Sequence, residues 1–379
     1  MKIGIDGNFF GSSTGIGQYT SYLIDTLARL VSPDFEILLL LRHNYPSADL
    51  PSGCRIVRAP SANRLIWANL FAAWIIWRKG LDLYHALDNL SLPLFWPKGR
   101  TRYVITIHDI IPLLFPEGVR PRHRYYFRFA MRRIIQLADA IIVDSENTKS
   151  AILQRFNVSE EKLSVIYLGV DGSRFQPIDD QECIKKVHKR YGIGPHPYVL
   201  FVGNIEPRKN LSSLIHAFAE LVKSGIYKPE IELIIAGAKG PLAGDLLSLP
   251  SQLGLGDKVL FPGVIMDADL PALYSDASLF VFPSHHEGFG FPVLEAMSCG
   301  TPVITSNVSS LPEIAGDAAI LVDPNGVHDM SEAMLKLLTN DMLRKDMIQK
   351  GFDRARRFSW EETARQTLRV YERIFAAIG

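Results

Sequence analysis

The amino-acid sequence predicts an α/β protein built from two doubly wound domains in tandem. Three observations carry that prediction. Short apolar runs alternate with helical patterns along the whole chain, the sign of parallel α/β architecture. The series restarts at residues 197–203, where Pro-Tyr-Val-Leu-Phe-Val-Gly opens a second run of strand and helix. The length, 379 residues, suits two to three average domains, and a hydrophobic fraction of 47% is enough for a core in each. The first domain is expected over residues 1–176 and the second over 195–358. Residues 177–194 read as a linker, because the stretch is polar and charged, with Pro177 and a Gly192 to Pro197 cluster.

Residues 2–6 are an apolar run broken by Asp6, a first strand and not a signal peptide. A glycine-rich loop feeds helix 18–30. Strand 36–40, the nearly all-apolar helix 64–78, and strands 83–85 and 103–107 come next. Helix 122–137, strand 140–143 and helix 148–156 complete the first series. In the second, strands at 198–202, 232–236, 259–261, 279–282, 303–305 and 319–322 alternate with helices, and the chain ends in helices 330–338, 341–356 and 360–377. No sequence repeat is visible. No apolar stretch reaches the ~18–20 residues that span a bilayer; the nearest, 65–77, contains Asn69. A net charge of +1 argues against broad electrostatic capture of nucleic acid. The well-separated Cys54, Cys183 and Cys299 lack metal-ligand spacing and fit a reduced, cytoplasmic setting.

The most informative stretch is Glu287-Gly-Phe-Gly-Phe-Pro-Val-Leu-Glu295. A helix start presents unpaired N–H groups and partial positive charge. Glycine lets a ligand come close to the backbone, and Pro292 suits a first helical turn. The segment therefore reads as an anion cradle between two carboxylates, with a phosphate on the N–H groups and hydroxyls on Glu287 and Glu295. A sugar nucleotide has that layout. The loop holding Gly11, Gly15 and Gly17 also suits phosphate contact, or is a tight turn that lets the helix pack. It is no dinucleotide fingerprint, because Thr20 stands where the third glycine belongs.

Arg208 and Lys209 lie past strand 198–202 and before a helix. Cations there oppose the helix dipole, which a bound diphosphate explains. His108 closes strand 103–107 and either donates to a sugar hydroxyl or phosphate, or is a structural histidine satisfied by a carbonyl. His85 and Asp109, likewise past strand ends, are assigned to the acceptor side, with a structural histidine as the alternative for His85. His285 and His286 precede Glu287 and either shape a sugar pocket or cap the loop. In doubly wound domains ligands favour the carboxyl ends of the strands at a switch point. If the two sets of ends face each other, the cleft between domains is the site.

Two segments speak to partners. Residues 120–133 hold six arginines and no acid. As a helix they place Arg124, Arg128 and Arg132 on one face and Phe127, Met131 and Ile134 on another. Such a helix is either a solvated face of a packed element or a contact with an anionic membrane. Helix 64–78 reads as core, or as an exposed tryptophan edge facing acceptor or lipid.

Residues 284–304, with Glu287 and Glu295, resemble the E-x7-E signature of the retaining glycosyltransferases of family 4, which have the GT-B fold. The resemblance also covers Thr14-Gly-Ile-Gly-Gln-Tyr-Thr20, Ile107-His-Asp109, Tyr167 to Asp171 with Phe175, Pro207-Arg-Lys-Asn210 and Phe358-Ser-Trp-Glu361. It spans essentially the whole chain. It implies two Rossmann-like domains facing an interdomain cleft, the first binding acceptor and the second nucleotide sugar. The last helix, 359–379, would cross back to complete the first domain. The resemblance places Gly15 and Gly17 near the donor diphosphate and His108 on the donor sugar or phosphate. Arg208 and Lys209 would hold the diphosphate and Glu287 the transferred sugar. Gly288, Phe289 and Gly290 would support sugar and phosphates, with Leu294 in the same donor set, and Glu295 would bind the ribose. The catalytic set so implied is His108, Arg208, Lys209 and Glu287. One departure is that many members carry an arginine directly after the strand-end glycine; Asn204 stands there in this chain.

The activity implied is retaining transfer of a hexose from a nucleotide-diphosphate sugar to a hydroxyl of a glycan or lipid-linked oligosaccharide in polysaccharide biosynthesis. Mannose from GDP-mannose is the specific expectation, resting on overall resemblance. No metal-ligand cluster is evident, and none is required if Arg208, Lys209 and helix N-termini stabilise the leaving diphosphate. Retaining glycosidases place a carboxylate nucleophile at the anomeric carbon; these residues offer no clear equivalent. Two alternatives stay open. A nucleotide-sugar epimerase or hydrolase on the same fold would turn over donor without acceptor. A non-catalytic nucleotide-sugar-binding module would bind donor and never transfer it. The expected setting is the cytoplasm, peripheral at the inner face of the membrane.

Overall fold

The computed structural model describes residues 1–12, 14–31, 35–42, 51, 53–60, 63, 66–96, 99–115, 121–240 and 244–376. It divides into two units. One is Met1–Gly169 together with Ser359–Gly379, and the other is Val170–Phe358.

The first unit is a parallel sheet of β1 (Lys2–Asp6), β2 (Glu36–Arg42), β3 (Arg55–Ala59), β4 (Leu83–Ala86), β5 (Arg102–Ile107), β6 (Ala140–Val143) and β7 (Leu163–Val165). Its order is β3-β2-β1-β4-β5-β6-β7. The central strands are continuous apolar runs because helices cover both faces; Ile37 to Leu41 of β2 are all buried. The helices are α1 (Gly15–Leu30), a π turn (Trp67–Ala72) running into α2 (Ala73–Lys79), α3 (Ile111–Leu114), α4 (Pro121–Leu137) and α5 (Glu146–Arg155). The crossovers β3 to β4 and β5 to β6 run in the same direction across the sheet. Right-handed connection therefore puts α2 and α4 on one face. They share a core there: Trp67, Ile75 and Ile76 with Phe127, Met131 and Ile134, over Tyr84, Tyr103 and Ile105. The C-terminal helix Trp360–Ala376 belongs to this unit and packs on α1, with Trp360 stacked on Tyr22 at 5.1 Å between centroids.

The second unit is a parallel sheet of β8 (Tyr198–Val202), β9 (Glu232–Ala236), β10 (Val259–Gly263), β11 (Leu279–Phe282), β12 (Val303–Ser306) and β13 (Ala319–Val322), in the order β10-β9-β8-β11-β12-β13. Its helices are α6 (Gln181–Tyr191), α7 (Leu211–Ser224), α8 (Gly244–Gln252), α9 (Leu270–Asp276), α10 (Phe291–Ser298), α11 (Leu311–Ala315), α12 (Val327–Thr339) and α13 (Asp341–Ala355).

Several expectations are corrected. Residues 177–194 are not a linker, because most of them form α6. The Asp180 side chain caps that helix by accepting from Glu182 N, and left-handed Gly192 ends it. Ile184 and Val187 pack on Ala272 inside the second unit. The chain instead leaves the first unit at Gly169 and returns at Ser359. Strands β3 and β7 went unpredicted. Of helix 64–78, Arg64 and Leu65 lie outside the described residues, and the helix is core on one side only, with Leu70, Trp74 and Trp77 exposed.

Candidate functional site

The strand order of the second unit reverses between β8 and β11, and a parallel sheet leaves a crevice at the carboxyl ends of strands at such a point. The loop after β8 carries Arg208 and Lys209, and the loop after β11 carries Glu287. Topology thus brings together residues 78 positions apart. Lys209 Nζ lies 2.7 Å from Glu287 Oε1 and Arg208 Nη1 lies 2.8 Å from Oε2, so each carboxylate oxygen takes one cation. Arg208 also pairs with Glu206 at 2.6 Å and donates to the His286 carbonyl. Lys209 Nζ sits 4.7 Å from the centroid of the Phe282 ring. Lys209 and Glu287 are each only 8% exposed. Burial by itself would raise the Glu287 carboxyl, but Lys209 and Arg208 overcome it and hold the group below its ordinary value. Burial and neighbouring Arg208 pull the Lys209 ammonium down, with Glu287 offsetting part of the loss.

Three residues support this pair: Asn210, which the sequence showed only as the end of the Arg-Lys-Asn run, and Ser309 and Ser310, to which it assigned no role. Asn210, left-handed at φ 57°, donates its amide to the carbonyls of Pro283 at 3.2 Å and Pro324 at 2.5 Å. Ser309, also left-handed at φ 63°, accepts from Glu287 N at 3.0 Å and donates to Glu287 O at 2.8 Å. Ser310 donates to Phe289 O at 2.7 Å. A left-handed non-glycine residue costs ~1–3 kcal/mol unless its surroundings hold it, and here the hydroxyl of Ser309 is tied to both ends of Glu287. The pair of serines soon after strand 303–305 was the available clue. His286 contributes to the same scaffold, its Nδ1 lying 3.2 Å from Ser309 Oγ. His285 is half-buried, and its backbone N–H ties the loop to Arg208 O at 2.9 Å.

Gly290 precedes α10 at φ 121°, where a side chain is strained and a Cβ would come 3.0 Å from Leu311 Cδ2. Phe289 packs edge-on against Phe291 at 5.3 Å and Phe358 at 6.0 Å, and Leu294 has no exposed surface. Both side chains are packing groups, so the place expected for Phe289 and Leu294 in the donor set is one for their backbone. Gly288 lies in the same loop, between Glu287 and Phe289.

Glu295 lies about one turn into α10 and accepts from the Tyr274 hydroxyl at 3.0 Å. Burial dominates its ionisation and pushes the carboxyl from 4.5 up to about 7, against the hydrogen bond from Tyr274 and the charge of Arg174. The folded protein therefore holds this proton more tightly than the unfolded chain does. Stability is expected to fall as pH rises from 4.5 to about 7, by up to about 3 kcal/mol. Urea midpoints at the two ends of that window check this, since Glu295→Gln should flatten the slope. Equal slopes in both proteins would overturn it.

In the first unit the order reverses between β1 and β4. Gly15 is exposed at the first position of α1, where unpaired helix N–H groups begin. Gly17 is different. It is buried, its N–H donates to the capping Thr14 hydroxyl at 3.1 Å, and a Cβ there would lie 2.0 Å from Ser12 O. Gly17 thus has the packing role given as the alternative for this loop: a side chain there would not let the loop pack on the helix.

His108 Nδ1 faces Asp144 Oδ2 at 2.6 Å and Nε2 faces the Leu87 carbonyl at 2.9 Å. Both partners accept, so both nitrogens donate and the ring is held as the imidazolium. Burial opposes that charge, but Asp144 and the Leu87 carbonyl overcome it and raise the group above its ordinary value. Both ring nitrogens are taken in this arrangement, as in the structural reading of this histidine. Asp144, missed in the sequence, follows a strand end as His108 does.

His85 is fully buried, bonded to Tyr371 OH at 2.6 Å and Thr106 Oγ1 at 2.9 Å, and burial lowers it to about 3. It anchors the C-terminal helix to the sheet and cannot meet an acceptor, so that expectation is also corrected. Asp109 stays in the loop after β5, where Oδ1 accepts from Ile111 N at 2.9 Å at the start of α3. Among the described residues no group of histidine, cysteine and carboxylate side chains has metal-site geometry.

Comparison with known proteins adds the family context. The family described as Glycosyltransferase Family 4 matches residues 14–174, and that described as Glycosyl transferases group 1 matches residues 184–354. O-antigen chain mannosyltransferase B of Escherichia coli is 35% identical, over 95% of this chain and 96% of that one. O-antigen chain mannosyltransferase RfbU of Salmonella typhimurium is 34% identical, over 85% and 87%. Among solved structures, sucrose-phosphate synthase from Thermosynechococcus elongatus superposes with a TM-score of 0.78 at 23% identity, covering 100% of both chains. Anabaena Alr3699/HepE, solved with UDP and glucose, gives 0.74 at 21% identity, covering 98% of this chain and 99% of that one. These two likenesses concern the fold.

Proposed function

We propose, for a chain that belongs to the glycosyltransferases of group 1 and family 4, the transfer of a hexose from a nucleotide-diphosphate sugar to a glycan or lipid-linked glycan hydroxyl, with retention of anomeric configuration. The observation that carries this reading is the Glu287 carboxylate clasped by Arg208 and Lys209 at the switch point. The bond from the anomeric carbon to the diphosphate oxygen breaks, and a bond to the acceptor oxygen forms on the same face. The acceptor proton passes to a phosphate oxygen of the leaving nucleoside diphosphate.

Arg208 and Lys209 neutralise the leaving group, the kind of preorganised charge that does most in a desolvated site. Until donor arrives, Glu287 is their counter-ion. The diphosphate competes for both cations, and Glu287 then turns to the sugar hydroxyls. Glu295 takes the ribose hydroxyls. His108 acts as a positioning residue, fixing the loop at Leu87. The names of the two O-antigen mannosyltransferase relatives support mannose as the hexose and a surface polysaccharide as the product; GDP-mannose is the proposed donor.

A thermal-shift panel of UDP-, GDP-, dTDP- and ADP-sugars tests the donor. A ligand at 100 times its Kd adds ~2.7 kcal/mol, so GDP-mannose should give the largest shift. Turnover of donor without acceptor would replace transfer by hydrolysis or epimerisation, and binding without transfer to any glycan would leave a binding module. No divalent cation is proposed, since Arg208 and Lys209 supply the charge. EDTA should leave the rate unchanged, and a loss restored by added Mg²⁺ or Mn²⁺ would refute that.

A further inference from the structure

We propose that Tyr274 is a positioning residue for the nucleotide donor: its hydroxyl takes one oxygen of Glu295 and leaves the other for the ribose, so that donor binding drives a proton off Glu295. The proposal rests on the reading of Glu295 as the ribose ligand and adds to it a residue on another helix. Tyr274 lies in α9 and is fully buried. A buried phenol needs a hydrogen-bond partner, and this one donates to Glu295 Oε2 at 3.0 Å. Among the described residues no other group bonds Glu295, so Oε1 is the oxygen left open.

The tyrosine is itself held from several sides. Its ring meets Phe175 edge-on at 6.2 Å and Phe280 of β11 at 5.4 Å between centroids. Its carbonyl accepts from Thr301 Oγ1, just past the end of α10, at 2.6 Å. The carbonyl of Leu273, one residue earlier, accepts from the Tyr198 hydroxyl of β8 at 2.7 Å. Two central strands and the helix that carries Glu295 therefore fix where the phenol oxygen sits. The carboxyl group inherits that precision, because a side chain locked by its neighbours holds a binding geometry better than a free one.

Burial, and then the charge of Glu295 and the bond to it, push the Tyr274 hydroxyl well above its ordinary value of 10.0. It stays a donor at every pH of interest, and Oε2 stays an acceptor. When Glu295 is protonated, the proton must then sit on Oε1, the atom proposed to accept the ribose hydroxyls. Proton and ribose compete for one oxygen. The other groups that act on Glu295 are few. Arg174, before α6, favours its charge, and Asp267, after β10, opposes it. Arg174 is itself engaged, donating to the Asp267 carbonyl at 2.6 Å and lying 3.7 Å from its carboxylate. Cys299, at the end of α10, is neutral, because burial pushes its thiol up to about 12. The arginine run that ends at Arg133 belongs to the first unit and is not among them; its first member, Arg120, lies outside the described residues.

Titration calorimetry of GDP-mannose and of UDP-glucose, without acceptor and from mild acid to alkali, tests this. Both carry a ribose diphosphate, so the test stands whichever base the site prefers. A sugar nucleotide also lacks the terminal phosphate whose second ionisation, near pH ~6, would obscure the profile. Affinity of the unmodified chain should fall as pH drops through about 7. Tyr274→Phe keeps the ring contacts but removes the donor to Oε2, so Glu295 should keep its proton to higher pH. The variant should bind roughly tenfold more weakly near neutral pH and recover in alkali. Glu295→Gln should bind weakly with little dependence on pH. A Tyr274→Phe loss of equal size at every pH would mean a merely structural role and overturn the proposal. So would an unchanged profile in Tyr274→Phe beside weakened binding by Glu295→Gln. Unchanged binding by Glu295→Gln would instead remove the ribose assignment, and this proposal with it.

Discussion

Replacing Lys209 by alanine is expected to lower transfer by ~10²–10³-fold and to weaken binding of the bare nucleoside diphosphate. Glu287→Gln should lower transfer as far, yet tighten that binding. The opposite signs follow from the clasp. Lys209 and Arg208 each hold one oxygen of Glu287 at 2.7 and 2.8 Å, so a diphosphate must displace a carboxylate to reach them. Neutralising Glu287 removes the competitor while also removing the group proposed to hold the sugar. Leaving a buried charge unpaired costs ~3–5 kcal/mol of folding in a closed core. Lys209→Ala leaves Glu287 paired with Arg208, whereas Glu287→Gln leaves the Lys209 ammonium without its carboxylate, so rates should be compared well below each melting temperature. Titration calorimetry with GDP beside a transfer assay decides the matter. Wild-type transfer by either variant would remove the assignment, and weakened GDP binding by Glu287→Gln would remove the counter-ion role.

The second large effect concerns folding. Asp144→Ala leaves the His108 imidazolium buried against a carbonyl with no carboxylate, a change expected to cost ~3–5 kcal/mol. The pH dependence identifies the cause. Because folding raises the His108 value above 6.5, the stability it contributes is fully present below pH 6.5 and is lost as pH rises through the raised value. The gap between wild type and variant should therefore be widest in mild acid and narrow in alkali. Urea midpoints across that range measure it. A gap that does not change with pH would mean that packing around Asp144, and not the charged pair, sets the loss.

The central strands of both sheets were legible, and so were β10 and β13, the edges of the second sheet. The two missed, β3 and β7, are the two edges of the first sheet. Edge strands are short and carry polar residues: β3 reads Arg-Ile-Val-Arg-Ala and buries only Ala59, while β7 has three residues. Helix α6 was read as linker for a related reason. Its contact with the second unit is narrow, resting on Ile184 and Val187, so most of its surface is charged. The cap at Asp180 and the stop at Gly192 were the signals that outweigh polarity there.

The sequence by itself determined the central strands, the restart at residue 197 and the glycine-rich segment between Glu287 and Glu295. Each of those depends on neighbours a few residues apart, where alternation, capping and backbone freedom act. Only the tertiary structure decided which polar groups face one another. Strand order put Lys209 and Arg208 on Glu287, His108 on Asp144, and His85 under the C-terminal helix. A strand-end histidine looks the same in a sequence whether its nitrogens are open or taken, because the partner that takes them sits on another strand, and strand order is set by the packing of the whole sheet.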